Sequence, residues 1–343
     1  MAIIVGSNLV NDTLNGGNLH DLISGLALSD ILNGGNGNDT LDGGLDNDSL
    51  DGGAGNDSLF GGDGADFFLA QIGRDTVDGG NDNDTIDGQG GNDSLLGGSG
   101  ADSVSGGGND DTVLGDVGND TLKGDGGADT LDGGDNDDRL EGGGANDTLD
   151  GGAGSDLLQG GNGNDQLGDS SGSDTLEGGD GDDTLGTLDG KRLDGGAGFD
   201  LLNGGPDSDT LIGGADVDLL FGAEGVDTID LTEDPLAQAL DQVTFQTLTD
   251  LGDTILAFNA GDATNVADRV LFVADLLTDV STFDEAIDQG YLSFTGTATS
   301  TTLWLDNDGS AGAGAAVAAC TFEGIGFVDT TTSETLFADN ISV

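Results

Sequence analysis

The chain has 343 residues, 67 of them acidic and only 6 basic, for a formal net charge of −61, and aromatics make up 4%. Such a charge excludes nucleic acid and anionic membranes as partners and favours cations. Low hydrophobicity with high net charge is also the composition of a disordered chain, unless the order of the residues supplies a source of cohesion.

Only seven of the acids are Glu. A merely solubilising acidic tract mixes the two carboxylates freely, so the bias to the shorter one points to geometry. Cys320 is the single cysteine, and no internal disulfide can form. The start, "MAIIVGSNLV", has no basic n-region, too short an apolar run and no small-residue cleavage site, so it is not expected to act as a Sec signal. No run of about 18 apolar residues exists, and no transmembrane helix or membrane insertion is expected. The same start is apolar and β-prone, and an open strand edge there is expected to dock on a neighbouring chain, with a local cap as the alternative.

From Ser7 the chain falls into nine-residue units. Twenty run without insertion to Gly186, one eight-residue step follows ("TLDGKRLD", Thr187–Asp194), and four more units run from Gly195 to Asp230. The sixth position is Asp in all twenty-four, from Asp12 to Asp227, and the eighth is Leu, Ile, Val or Phe in all of them, from Leu14 to Ile229. Two columns held in phase over that length remove the disorder reading.

The columns dictate a structure. A glycine pair permits positive φ and a tight turn. A short strand then carries one inward apolar residue, and the next glycine pair turns the chain back. Two units make a coil of eighteen residues. Stacked coils, about 4.8 Å apart, give two parallel sheets sandwiching a ladder of aliphatic side chains. The expected fold is all-β, a parallel β-roll (β-solenoid) over residues 1–230 followed by a small β-rich C-terminal domain at 231–343. One aliphatic side chain per nine residues buries too little surface to offset the entropy of ordering them, so the turns need a second source of cohesion. Calcium supplies it. The ion takes six to eight oxygens and mixes carboxylates with backbone carbonyls, and the aspartates and glycine turns present both along two rows.

The unit reads G-G-x-G-x-D-x-U-x, and "GGNGNDTLD" (34–42), "GGAGNDSLF" (52–60), "GGNGNDQLG" (160–168) and "GGDGDDTLG" (178–186) match it well. It resembles the repeat of RTX (repeats-in-toxin) proteins, which implies a calcium-bound parallel β-roll. Departures from the pattern mark weak points. The units at 7–33 replace glycines with Leu19, Leu26 and Leu28, and "AQIGRDTVD" (70–78) lacks the glycine pair, so gaps in the calcium rows are expected at both. The octapeptide drops the Asp and inserts Lys191 and Arg192, read as a solvated bulge, with replacement of a missing ion as the alternative. The metal-ligand candidates that remain are Asp39, Asp48, Asp57, Asp66, Asp84, Asp93, Asp102, Asp111, Asp120, Asp129, Asp138, Asp147, Asp156, Asp165, Asp174, Asp183, Asp200, Asp209, Asp218 and Asp227. Full occupancy would place on the order of twenty calcium ions in the roll.

After Leu231 the composition changes, and ten of the fifteen aromatics lie in the last 113 residues. Strands are predicted at 243–248, 254–258, 269–274, 291–295, 301–305 and 321–328. A short helix is predicted at "TFDEAIDQG" (282–290), with a Thr282/Glu285 capping box and Gly290 as its stop. "DTILAFNAGD", "YLSFT", "LWLDNDGSAG", "FEGIGF" and "LFADNISV" look like the C-terminal target domain of type I secreted proteins. That likeness implies an uncleaved export signal, recognised by an inner-membrane transporter, and a Gram-negative source.

Catalytic patterns are sparse. His20 is the single histidine and no HExxH occurs, which removes the zinc-protease reading. "GDSSG" (168–172) formally matches a nucleophile elbow but falls in register as a repeat turn, without strand–turn–helix context. "DNDG" (306–309) lacks the other ligands of an EF-hand loop and reads as a solvated turn. With no further domain beside the roll, no enzymatic activity is expected. The sequence therefore reads as a secreted, calcium-dependent structural protein that folds outside the cell and assembles with copies of itself into a surface layer, filament or matrix. The alternative is a soluble adhesin or an ice- or glycan-binding module. Position seven carries Thr often enough to raise it (Thr40, Thr85, Thr121, Thr130, Thr148), but other residues interrupt the array.

Overall fold

A computed structural model describes residues 1–188 and 191–230, and beyond them the backbone of strands Gln242–Phe245, Asp253–Leu256, Arg269–Phe272, Leu292–Thr297, Ser300–Asp306, Ala316–Glu323 and Ile341–Ser342. Every regular element among the described residues is a strand. No described helix is long and apolar enough to cross a membrane. The chain comprises two compact units, Met1–Asp174 and Thr175–Val343.

In the Met1–Asp174 unit the nonapeptides alternate between two parallel sheets, as the period demands. One sheet takes Ile3–Val5, Leu22–Ala27, Thr40–Leu45, Ser58–Asp63 and every second strand after them; the other takes Thr13–Gly17, Ile31–Asn36, Ser49–Ala54 and their successors. Partners lie eighteen residues apart, so Thr40 pairs with Ser58 and Ser58 with Thr76. The register never slips, because each strand is bounded by turns of constant length.

Each strand directs its eighth-position residue inward and the flanking residues outward, the period-two alternation of a pleated strand. Ile23, Leu41, Leu59, Val77, Leu95, Val113 and Leu131 form one apolar ladder, and Leu32, Leu50, Phe68, Ile86, Val104, Leu122 and Leu140 the other; all are 0–1% exposed. The core is thus two stacks of single side chains between two sheets. Turn geometry is set by the backbone as much as by glycine. Leu26 and Leu28 hold φ of 85° and 73°, and Gln71 holds 76°, where well-matched units place glycine.

The Thr175–Val343 unit repeats this arrangement. Thr175 pairs with Arg192 and Arg192 with Thr210, so the octapeptide shortens one coil to seventeen residues and the parallel ladder continues. Leu219–Phe221 pairs with Gln242–Phe245, and Thr228–Asp230 with Asp253–Leu256, again in parallel. Leu292–Thr297, Ser300–Asp306 and Ala316–Glu323 form antiparallel pairs. Six of these late strands overlap the six predicted from the sequence. The helix predicted at 282–290 and the turn residues 307–309 lie outside the described residues.

Candidate metal centres

The aspartate column is built by the turn. Each full strand runs from the seventh position of one unit through the third of the next, as in Thr40–Leu45, the chain then reverses, and the sixth residue stands immediately before the following strand, as Asp48 does before Ser49–Ala54. All twenty candidates are buried, none more than 4% exposed. In the Met1–Asp174 unit they stack as two rows. One runs Asp48, Asp66, Asp84, Asp102, Asp120, Asp138 and on to Asp156 and Asp174; the other runs Asp39, Asp57, then Asp93, Asp111, Asp129, Asp147 and Asp165. In the Thr175–Val343 unit, Asp183, Asp200 and Asp218 share one row, and Asp209 and Asp227 another.

Adjacent members of a row are joined by one recurring bond. The backbone N–H of each aspartate donates to Oδ1 of the aspartate one coil on: Asp48 to Asp66 at 2.7 Å, Asp102 to Asp120 at 2.7 Å, Asp129 to Asp147 at 2.8 Å, Asp209 to Asp227 at 2.8 Å. One carboxylate oxygen per residue is thereby committed to backbone. The other is not. Oδ2 of Asp48, Asp66, Asp84, Asp111, Asp138, Asp147 and Asp209, among others, is buried with no hydrogen-bond partner.

Those oxygens line a cradle. A methyl group placed on Gly142 would stand 2.5 Å from Asp147 Oδ2 and 2.7 Å from Gly160 O, the carbonyl of the next coil. On Gly34 it would stand 2.6 Å from both Asp39 Oδ2 and Gly52 O. The first glycine of the repeat therefore leaves open a small space walled by a carboxylate oxygen and a glycine carbonyl, and this is repeated coil after coil. An orphaned buried carboxylate oxygen facing carbonyls is a hard-oxygen donor set suited to calcium. A buried carboxylate without compensation is strongly unfavourable.

The electrostatics agree. Burial, the largest cause, pushes the carboxyls of Asp48, Asp75, Asp84, Asp111, Asp138, Asp147 and Asp209 up to about 7, and those of Asp57, Asp66, Asp120 and Asp200 to about 6. The backbone N–H bond opposes it, and row neighbours add to it: Asp120 and Asp156 both raise Asp138. The rows hold more negative charge than they can keep without a counter-cation.

Two aspartates of units where gaps in calcium were expected also stand in the rows. Asp75, placed at an expected gap, is 1% exposed and sits fully in its row, accepting from Asp57 N–H at 2.7 Å and donating to Asp93 Oδ1 at 2.8 Å. What differs there is Ala70, fully buried in place of the first glycine. Asp30 is likewise in row, accepting from Asp12 and donating to Asp48. The signal for both was the unbroken aspartate column itself. Asp169 was also missed. It replaces the first glycine of its unit, and its carboxylate gathers with those of Asp156 and Asp174, ligand oxygens within 4.8 Å of one another and all three residues buried. Its place inside "GDSSG" confirms that stretch as a repeat turn, with Gly172 at φ 140° and no helix following. Lys191, read from the sequence as part of a solvated bulge, is 6% exposed and stands in the aspartate row; Arg192 faces outward and pairs with Asp194 at 2.9 Å.

Comparison with known proteins agrees with this geometry. The profile of the RTX calcium-binding nonapeptide repeat (4 copies) matches in overlapping windows that cover residues 15–190 and 194–229. No curated protein matches the chain.

Proposed function

This chain belongs to the RTX calcium-binding nonapeptide repeat family, and from that premise we propose that it is a secreted structural protein that folds on calcium outside the cell and assembles with copies of itself into a surface layer, filament or matrix. The observation that carries the reading is the buried aspartate rows whose Oδ2 atoms face glycine carbonyls. Asp39, Asp48, Asp57, Asp66 and their row partners through Asp227 hold the ions, each shared between neighbouring coils. In the cytosol, with little free calcium, the rows repel and the chain stays unfolded and exportable. Outside, each bound ion stabilises the fold by mass action. Residues 1–230 are the roll, and residues 231–343 cap it and carry an export signal read by a type I transporter of a Gram-negative cell, on the strength of the C-terminal resemblance.

Support for assembly comes from the start of the chain. Ile3–Val5 is the outermost strand of its sheet, paired on one side to Leu22–Ala27. Met1, Ile3, Val5 and Leu9 are 57–87% exposed. An open, apolar strand edge is a template for a second chain. Size-exclusion chromatography with and without calcium tests this: reversible growth into large particles supports assembly, and a calcium-loaded monomer removes it.

A second reading, a soluble glycan- or ice-binding module, has its own observation. Because alternate units go to opposite sheets, Thr40, Ser58, Thr76, Ser94, Thr112, Thr130 and Thr148 stack in register as one uninterrupted hydroxyl ladder, while the interrupting Ile31, Phe67 and Arg139 lie on the other sheet. A calcium-loaded monomer that is retained on polysaccharide resin, and released by a Thr112→Val/Thr130→Val double substitution, would favour it.

A further inference from the structure

The octapeptide Thr187–Asp194 interrupts an aspartate row, and the matched repeat profile lapses at residues 191–193. The backbone shows what stands there instead. Lys191 N–H donates to Asp209 Oδ1 at 2.7 Å, and Lys191 O accepts from Thr210 N–H at 2.8 Å. These are the two bonds that Asp200 makes with Asp218 Oδ1 and Leu219 N–H in the other row. Two residues on, Leu193 is fully buried, as the eighth position always is. Lys191 therefore occupies the sixth position, and at 6% exposure it is as enclosed as the aspartates it replaces.

The second half of the same cradle is changed as well. Thr187 follows the strand Thr184–Gly186 and takes the first-glycine position, buried at 6%. Where a regular unit leaves a space in front of the next coil's carbonyl, Thr187 fills it: its Oγ1 donates to Gly204 O at 2.6 Å. The carbonyl that would face an ion elsewhere is satisfied by a hydroxyl. The carboxylate that would hold the ion is replaced by an ammonium.

We propose that this coil is a metal-free clasp in the calcium row, with Lys191 supplying the positive charge and Thr187 the hydrogen bond that calcium supplies in the regular coils. A divalent ion is excluded there by a fixed cation and a filled cradle. The proposal rests on the calcium-binding reading above, and the experiment separates the two.

Lys123 and Lys191 are the only lysines in the sequence, and Lys123 is on the surface, paired with Glu141 at 2.8 Å. Amine acetylation of the full calcium-loaded chain, read by mass spectrometry, is expected to modify Lys191 at least about tenfold more slowly than Lys123, and equally in chelator, because protection tracks local opening. Calcium per chain, counted by elemental analysis after dialysis, is expected to rise by about one ion in the Thr187→Gly/Lys191→Asp double variant, which restores a regular oxygen-lined site. Equal acetylation of both lysines in a folded, calcium-loaded chain overturns the clasp, as does a folded double variant with an unchanged count. If that variant does not fold, the acetylation ratio of the native chain decides alone. A native chain that binds no calcium sinks the underlying reading instead.

Discussion

An aspartate in these rows has two oxygens with separate duties. Oδ1 accepts a backbone N–H from the preceding coil, a short-range bond that orders the turn. Oδ2 faces carbonyls and needs a cation. Asp138→Asn keeps the shape and removes the charge, so calcium titration should show a raised midpoint and a lower count, with stability in saturating calcium reduced by about 1–3 kcal/mol. An unchanged titration would mean Asp138 holds no ion. The same residues set the pH dependence. Burial raises Asp48, Asp84, Asp111 and Asp138 to about 7 in the metal-free fold, against about 4 in the unfolded chain. The metal-free fold thus binds more protons than the unfolded chain between those values. The stability this contributes is fully present below about pH 4 and is lost as pH rises through about 7. Circular dichroism of metal-stripped protein should show β signal appearing on acidification from pH 8 to 5, while calcium binding weakens over the same interval because the ion must displace protons. Loss of β signal on acidification would contradict the assignment. At this scale the sequence disclosed the aspartate column and its chemistry. It did not disclose that Lys191 belongs to it, because the octapeptide has one residue too few and only sheet pairing shows which position was lost.

A single coil is a strand, a turn, a second strand and a second turn, and its two glycines differ in kind. Gly142 guards the cradle: a methyl there meets Asp147 Oδ2 at 2.5 Å and Gly160 O at 2.7 Å. Gly143, at φ 112°, shapes the turn, and a methyl on it would lie 2.2 Å from Asp125 O. Gly144 meets nothing within 4 Å. Gly142→Ala should therefore lower the calcium count and the melting temperature, whereas Gly144→Ala should change stability by no more than about 0.5 kcal/mol. Equal effects of the two would remove the cradle from the argument. Leu140, fully buried between the sheets, should cost about 2–5 kcal/mol when cut to Ala, read by thermal denaturation in saturating calcium. The inward position of each strand in the roll was legible to the residue, because the nine-residue unit repeats in phase, but the strands extend through the glycine pair that was read as turn. At 70–78, where a gap in the calcium row was expected, the backbone keeps the path of the other coils: Gln71 adopts the left-handed conformation that glycine supplies elsewhere.

Across the whole chain, a net charge of −61 has to be reconciled with rows of buried carboxylates in each unit. Calcium, with flexible coordination by six to eight oxygens, fits cradles of carboxylate and carbonyl. Magnesium demands near-ideal octahedral geometry and keeps its waters. Calcium at millimolar concentration should convert the chelated chain to full β signal, and magnesium at the same concentration should not. Equal recovery with both ions would mean that general charge screening, not coordination, drives folding. A full β signal in excess chelator at pH 8 would go further and remove metal from the folding argument altogether.

By itself the sequence determined the period, the two invariant columns and therefore the parallel roll and its need for a hard cation, because a turn of fixed length and a short strand are local consequences of nine residues. Tertiary structure alone decided which residues meet. Contacts in a stacked coil join positions eighteen apart, so the separation of the hydroxyl ladder onto one sheet, the gathering of Asp169 with Asp156 and Asp174, and the burial of Lys191 and Thr187 in one cradle all follow from register between coils. The repeat gives the eighteen-residue spacing of those contacts, but which side chains share one cradle is a property of neighbours in space.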